Sequence, residues 1–431
     1  MDRRHFLQSL ALPMAIAPAL ATMKPGVVAE LLPQIQSFRG SPAELAINED
    51  LWFRVQQAFT VDRSLINLNN GGVSPSPAVV QDAMKRHLDY SNLAPVYTMW
   101  GILEPQRETV RQSIARMQGV DPEEIALTRN ASESLQILQL GFDLKPGDEV
   151  LTTTQDYPRM ITTFRQRERR EGIVLKQFDI PAPAEDDDLI VSLFEQNITP
   201  RTKLILVSHM VFMNGNILPV KRVTDLGRKR GIPVIVDGAH AFSHAPGTIA
   251  ELDIDYYASS LHKWLMAPHG TGLLYVRKDK ISGVWPMMAA PVNMDSDIRK
   301  FEEIGTHPAA NYLAIAEAIT FTEGIGQDVK TARLTWLRDR WAKELVKHDR
   351  VTMRTSLKPG HAAGLATVDI DGIEPVDIVN HLWKKHRIIV VPINEPFTKG
   401  IRVAPNVYTT TGEIDRFVEA ITDVIKYGIA P

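Results

Sequence analysis

Asp237 and Lys263 are the two residues whose types and settings could do chemistry together. Lys263 sits in Ser260-Leu261-His262-Lys263-Trp264, beside small residues (Ala258, Ser259) and apolar ones (Leu265, Met266). A lysine amine partly removed from water has a lowered pKa and becomes a usable nucleophile. Asp237 closes the run Val234-Ile235-Val236 and is followed by Gly238. A carboxylate there can hold a positive charge against it. An amine that condenses with an aldehyde, together with an acid that keeps a ring nitrogen protonated, is what pyridoxal phosphate needs to accept electrons from a carbanion at a substrate Cα. Taken singly, each residue reads more blandly, Asp237 as a turn cap and Lys263 as a surface lysine.

The elements that must position this pair are also readable. Val234–Val236 is a short β-branched run ended by a turn signal, the pattern of a buried parallel strand. Open α/β sheets bind ligands at the carboxyl ends of such strands. Gly270-Thr271-Gly272 makes a tight turn into a returning strand, Leu273–Val276. Ile125–Thr128 is another short strand, and Arg129-Asn130-Ala131-Ser132-Glu133-Ser134 opens a helix after it. Small and hydroxyl residues at a helix start are caps, and the same geometry aims free N–H groups at an anion. Ala131 and Ser132 are therefore candidates to hold a phosphate. The strand Gly147–Thr153 leads to Gln155-Asp156-Tyr157-Pro158, where Tyr157 either stacks on a flat ring or packs at the strand end. Leu204–His209 is a further buried strand. Leu65–Leu68 runs into Asn69-Asn70-Gly71-Gly72, a turn able to approach a ligand closely. Past Val346 the pattern becomes a smaller α/β unit, ending in a helix with a capping box at Thr410 and Glu413.

Asp237-Gly238-Ala239-His240, then Ser260-Leu261-His262-Lys263-Trp264, then Gly270-Thr271-Gly272 with Leu274-Tyr275-Val276-Arg277, resemble the class V aminotransferase family of pyridoxal phosphate enzymes. The resemblance runs from about Asn67 to the C-terminus and is strongest to the isopenicillin N epimerase-like branch. It implies fold type I, with a large doubly wound, mostly parallel domain and a small C-terminal α/β domain. It implies that Lys263 carries the cofactor and acts as general base, with Asp237 on the ring nitrogen. Ala131, Ser132, Ser260 and His262 would serve the phosphate and anchor the lysine. Tyr157 would stack on the ring, with Asp156 competing for that position. His240 would reach the phenolic oxygen. The family commonly supplies an Asn there too; this chain has Phe212 instead, leaving Asn214 as the substitute. Asn70 and Gly71 would lie over the substrate and Arg402 would clamp its carboxylate. Thr306 would cross a dimer interface to the partner's phosphate, making a homodimer with a shared site.

Composition narrows the rest. The chain has 431 residues, 44% of them hydrophobic, and a formal net charge of −3. That balance gives no basis for a nucleic-acid partner, and no metal site is expected. Cysteine is absent, so no thiol is available as a nucleophile. Asp2-Arg3-Arg4-His5-Phe6-Leu7-Gln8 has the twin-arginine form, and the apolar stretch after it ends at Ala19-Leu20-Ala21. We expect a signal peptide at 1–21, export of the folded protein to the periplasm or beyond by the twin-arginine machinery, and no stable membrane span. The remaining expected divisions are a linker and helix at 22–66, the cofactor domain at 67–310, connecting helices at 311–346 and the small domain at 347–431. The expected function is epimerase- or racemase-like chemistry at the Cα of an amino-acid-like small molecule. Aminotransfer and C–S or β-elimination lyase chemistry are alternatives, and a non-catalytic exported binding protein is the alternative of another class. Tyr97, Tyr157 and His209 are the candidates for the acid that an epimerase needs opposite Lys263.

Overall fold

The computed structural model describes residues 27–429; the expected signal segment lies outside them. Thirteen strands follow one another among the described residues: β1 (Ile66–Asn67), β2 (Ile125–Thr128), β3 (Glu149–Thr153), β4 (Val174–Phe178), β5 (Thr202–Ser208), β6 (Val234–Asp237), β7 (Tyr256–Ser260), β8 (Gly272–Val276), β9 (Val351–Met353), β10 (Ala366–Ile370), β11 (Ile388–Ile389), β12 (Val391–Glu395) and β13 (Thr398–Val403). Seven of them make one sheet in the order β2-β8-β7-β6-β5-β3-β4. β4, β3, β5, β6 and β7 run parallel to one another, and β8 runs against both β7 and β2.

Both faces of this sheet are covered, which is why its strands read as unbroken apolar runs rather than alternating ones. Successive side chains point to opposite faces, and the core divides accordingly. Ile205, Val207, Val234 and Val236 pack on one side. Leu204, Leu206 and Ile235 pack on the other, with Leu135 and Leu138 of the helix Ala131–Gly141. The register sets Ser208 beside Asp237 and Asp237 beside Ala258. The carboxyl ends of β5, β6 and β7 therefore meet at one rim.

The smaller domain is a four-stranded antiparallel sheet, β12-β13-β10-β9, packed on the helices Pro375–His381 and Thr411–Tyr427. The capping box at Thr410 and Glu413 is formed. Two boundaries fall differently from the sequence reading. β1 pairs in parallel with β11, Ile66 beside Ile388, and Ile66 and Leu68 belong to the small domain's core. The segment 311–346 is divided. Leu313, Ile315 and Ile319 pack on the large sheet, whereas Leu337, Trp341 and Leu345 of the helix Gln327–Leu345 enter the small domain's core. Behind the rim, Trp52 and Val55 of the helix Glu49–Gln56 pack with Trp264, Met266 and Leu334. The N-terminal segment thus backs the Lys263 loop. Among the described residues no helix is long and apolar enough to cross a membrane.

Candidate active site

The rim where β6 and β7 end brings Asp237 and Lys263 into one buried cluster. Asp237 starts a turn in which its Oδ1 accepts the Ala239 N–H at 2.9 Å. Gly238 is required there, because a side-chain carbon would fall 1.9 Å from the Tyr257 ring. Past β7 the chain folds back on itself, Leu261 donating to the Thr271 carbonyl at 2.9 Å, and Lys263 is carried inward. Its Nζ lies 3.2 Å from His240 Nε2. Burial pulls the ammonium down to about 8; Asp237 opposes that shift and Arg402 adds to it. Burial also pushes the Asp237 carboxyl up to about 6, although the Ala239 N–H and Lys263 favour its charge. His240 is held neutral by burial and by the neighbouring Lys263 and Arg402. Its Nδ1 has no partner among the described residues. Gly71 closes over it: a side-chain carbon there would come within 3.4 Å of His240 Cε1.

A second group lies at the start of the helix Ala131–Gly141. Asn130 caps it, accepting the Glu133 N–H at 2.9 Å. The Ala131 N–H donates to Ser260 Oγ at 2.9 Å, which leaves the Ser260 hydroxyl proton free for an acceptor. Ser132 is by position one of the first-turn donors that lack an intrahelical partner. His262 Nδ1 is 3.2 Å from the Thr271 carbonyl, and burial brings its pKa to about 4.

The turn after β3 separates Asp156 from Tyr157. Asp156 is excluded as a stacking residue, because its two oxygens accept from Thr152 Oγ1, Thr153 N and Oγ1, and Ser208 N and Oγ, all within 2.6–2.8 Å. Tyr157 is 39% exposed and meets Phe212 edge-on, ring centres 5.3 Å apart. Asn214 does not take the role given to it. Its Nδ2 faces Gln155 Oε1 at 3.5 Å, in the turn after β3, and its Oδ1 accepts the Asn216 N–H at 3.1 Å in its own loop. His209 is fully buried beside Tyr257. It follows Ser208, whose hydroxyl reaches Asp156, so the alternation along β5 sends its side chain to the opposite face.

Arg402 reaches the cluster from β13 of the small domain. The residue is 7% exposed, and its guanidinium donates to the Phe212 carbonyl at 2.8 Å and to Asn69 Oδ1 at 3.1 Å. Nε has no partner, and no carboxylate pairs with the group among the described residues. Burial lowers its pKa to about 10. A buried guanidinium without an anion is strongly disfavoured, so the site is built to receive one. Asn69, not Asn70, is the loop residue that serves it. Asn70 is buried at the domain junction, donating to the Ala404 carbonyl at 2.9 Å and accepting from Tyr408 Oη at 2.6 Å. Two adjacent Asn residues gave no signal as to which turns inward. Thr306 is exposed, next to Gly305 in the left-handed region.

Three comparisons bear on this arrangement. The family model described as aminotransferase class-V matches residues 66–417. The isopenicillin N epimerase of Streptomyces clavuligerus is 27% identical over 387 residues, which cover 86% of this chain and 97% of that protein. The isopenicillin N epimerase of Amycolatopsis lactamdurans is 28% identical over 395 residues, covering 87% and 99%. Among solved structures, the cysteine desulfurase of Thermococcus onnurineus superposes with a TM-score of 0.76 at 23% identity, covering 88% of this chain and 98% of that one. The cystine C-S lyase C-DES, with glycine linked to its PLP cofactor, gives 0.77 at 22%, covering 85% and 99%. The architecture is therefore that of the fold type I enzymes.

Proposed function

The chain belongs to the class V aminotransferase family, and from that premise we propose that it acts at the Cα of an amino acid or amino-acid-derived substrate as an epimerase or racemase. Pyridoxal phosphate is its cofactor, and the residues present fit it. Asp237, buried with a raised pKa and one backbone donor, suits a protonated ring nitrogen. Lys263, with a lowered pKa, suits an amine that must be neutral to condense. Ser132, Ser260 and His262 would hold the phosphate, and the open face of Tyr157 the ring. When bound, the cofactor delocalises the electron pair left at Cα by proton removal.

The chain's own groups do the rest. Arg402 would bind the substrate carboxylate through its unpaired donors, fixing Cα relative to Lys263. Lys263 Nζ would take the Cα proton on one face. Neutral His240, at 3.2 Å, can share that proton through Nε2. Tyr157 is the residue left to return a proton on the other face. His209 points away from the site, and Tyr97 is exposed on the separate helix Val96–Leu103.

The single observation that carries the reading is the buried, anion-free Arg402 beside the Lys263–Asp237–His240 cluster, in a chain that matches two isopenicillin N epimerases over 97% and 99% of their length. The absence of cysteine supports it over desulfuration, which needs a thiol to receive sulfur. The test is incubation of the holoenzyme with a panel of amino acids and short peptides in deuterium oxide. Cα exchange with inversion is expected, abolished by Lys263→Ala. Accumulation of keto acid or of a β-elimination product, without inversion, would replace the reading by aminotransfer or lyase chemistry.

The same proposal includes a homodimer in which the exposed Thr306 serves the partner's phosphate site. It also includes export by the twin-arginine machinery to the periplasm or beyond, supported by Arg3-Arg4 and Ala19-Leu20-Ala21.

A further inference from the structure

Lys330 is a buried lysine with no carboxylate partner among the described residues. Its side chain is inaccessible to solvent, and its Nζ donates to Ser243 Oγ at 2.9 Å and to the Trp264 carbonyl. A lone ammonium removed from water costs several kcal/mol, and a methionine of similar length would fill the same space more cheaply. The two partners give the arrangement its meaning. Trp264 directly follows Lys263. Ser243 lies three residues after His240 in the turn that follows β6, and it sits in the left-handed region at φ 56°. One cation thus grips the two loops whose side chains meet at Lys263 Nζ and His240 Nε2.

The surroundings reinforce that grip. The Trp264 ring stacks on His244, centres 3.6 Å apart. His244 Nδ1 lies 2.9 Å from the His240 carbonyl, and its Nε2 accepts the Gly364 N–H at 2.8 Å. Thr331, next to Lys330, donates to the His244 carbonyl at 3.1 Å. Gln327 Oε1 accepts from Ser243 Oγ at 3.1 Å. Gln327, Lys330 and Thr331 all lie on the helix Gln327–Leu345, whose other end is built into the small domain's core. Met266, in the left-handed region at φ 61°, shows that the Lys263 loop needs holding.

We propose that Lys330 is a positioning residue: its ammonium locks the Trp264 carbonyl to Ser243 and so fixes the Lys263 amine against His240, in register with the helix that carries the small domain. The proposal rests on Lys263 as the amine that takes the cofactor. It is tested first without turnover, by adding pyridoxal phosphate to the apoprotein and timing the visible band. Wild type should form the band quickly and Lys263→Ala not at all. Lys330→Met should keep its fold and melting midpoint but form the band about tenfold more slowly, with its pH midpoint moved. Lys330→Arg should recover most of the rate. In the exchange assay Lys330→Met should lower kcat about tenfold and leave KM within about twofold. Ser243→Gly removes the hydroxyl and tolerates the backbone angle, and should give a smaller loss in the same direction, which keeps the test available if Lys330→Met fails to fold. Equal band formation in wild type, Lys330→Met and Ser243→Gly would overturn the proposal. A wild type that forms no band would instead sink the cofactor assignment beneath it.

Discussion

The turns after β3 and β6 each present a buried aspartate at the same rim, and they are provisioned in opposite ways. Asp156 is 2% exposed and Asp237 is 6% exposed. Asp156 has five donors around its two oxygens, which tie the end of β3 to the end of β5. Asp237 has one backbone donor, and the charge of Asp156 adds to burial in raising its pKa. A carboxylate that is saturated holds the architecture. One left short of donors beside Lys263 and His240 is kept for a cation the protein does not itself supply. The side chains are chemically identical, so the role lies in the count of partners.

That contrast is broken or sharpened first by neutralising each aspartate in turn. Asp237→Asn should cost about 10²–10³-fold in kcat, the scale for losing one electrostatic contact to developing charge, with the fold intact. Asp156→Asn places an NH₂ among donors and should lower stability by about 3–5 kcal/mol. Denaturation curves and steady-state rates on both variants check this. Equal losses of stability would erase the distinction.

The pH dependence of the apoprotein is the next test. The Asp237 pKa is raised from 3.8 to about 6, so the folded form binds the extra proton. Its contribution to stability is present below about pH 4 and is lost as pH rises through 6. Lys263 is lowered from 10.5 to about 8, so its contribution is present above pH 10.5 and is lost as pH falls through 8. Asp237→Asn should therefore gain on wild type as pH climbs from 4 to 7, by about 2–3 kcal/mol. Melting of both apoproteins across that range measures it, and a difference that does not vary with pH would refute the raised pKa.

Arg402 extends the contrast to a cation, buried and without an anion where Asp237 is buried with Lys263 nearby but with no ion-pair contact among the described residues. Arg402→Lys keeps the charge but loses the fork that grips a carboxylate in parallel. KM should rise about 10–100-fold, from hydrogen bonds to a charged group worth about 1.5–3 kcal/mol, while the visible band is unchanged. A change in the band with KM unaltered would move Arg402 to the cofactor.

What the sequence made legible was whatever is encoded in a few consecutive residues. Val234–Asp237 and Ser260–Trp264 announce a strand end and a loop by local pattern, and the structure joins them as a parallel neighbour pair. What it hid depends on distant partners. Ile66 pairs with Ile388, and nothing near Ile66 says so. Asn214 has the right chemistry near the right strand end, but Gln155, reached only through folding, has already claimed its amide. Lys330 falls on a helix rich in charged residues and reads as solvent-facing until its carbonyl and hydroxyl partners are seen. The division of labour between Asp156 and Asp237 was hidden for the same reason: donors from β3 and β5 converge on Asp156 only once β5 lies beside β3.

Asn69 and Asn70 repeat the contrast on the smallest scale, in adjacent residues of one turn. Asn70 is the satisfied member, spanning from the turn to Ala404 and Tyr408. Asn69 reaches the site with its Oδ1 on Arg402. Asn70→Ala would leave the buried Tyr408 hydroxyl proton without its acceptor, while the Ala404 carbonyl keeps the N–H of residue 70, and should cost about 1–3 kcal/mol of stability with little change in KM. Asn69→Ala removes one neutral partner of a guanidinium that a carboxylate ligand also engages, so KM should rise only about three- to tenfold, with stability nearly unchanged. Double substitution with Arg402→Lys decides whether Asn69 acts through the guanidinium. If it does, the two KM effects fall short of additivity, because the second change has little left to remove. Full additivity would mean that Asn69 meets the substrate on its own account.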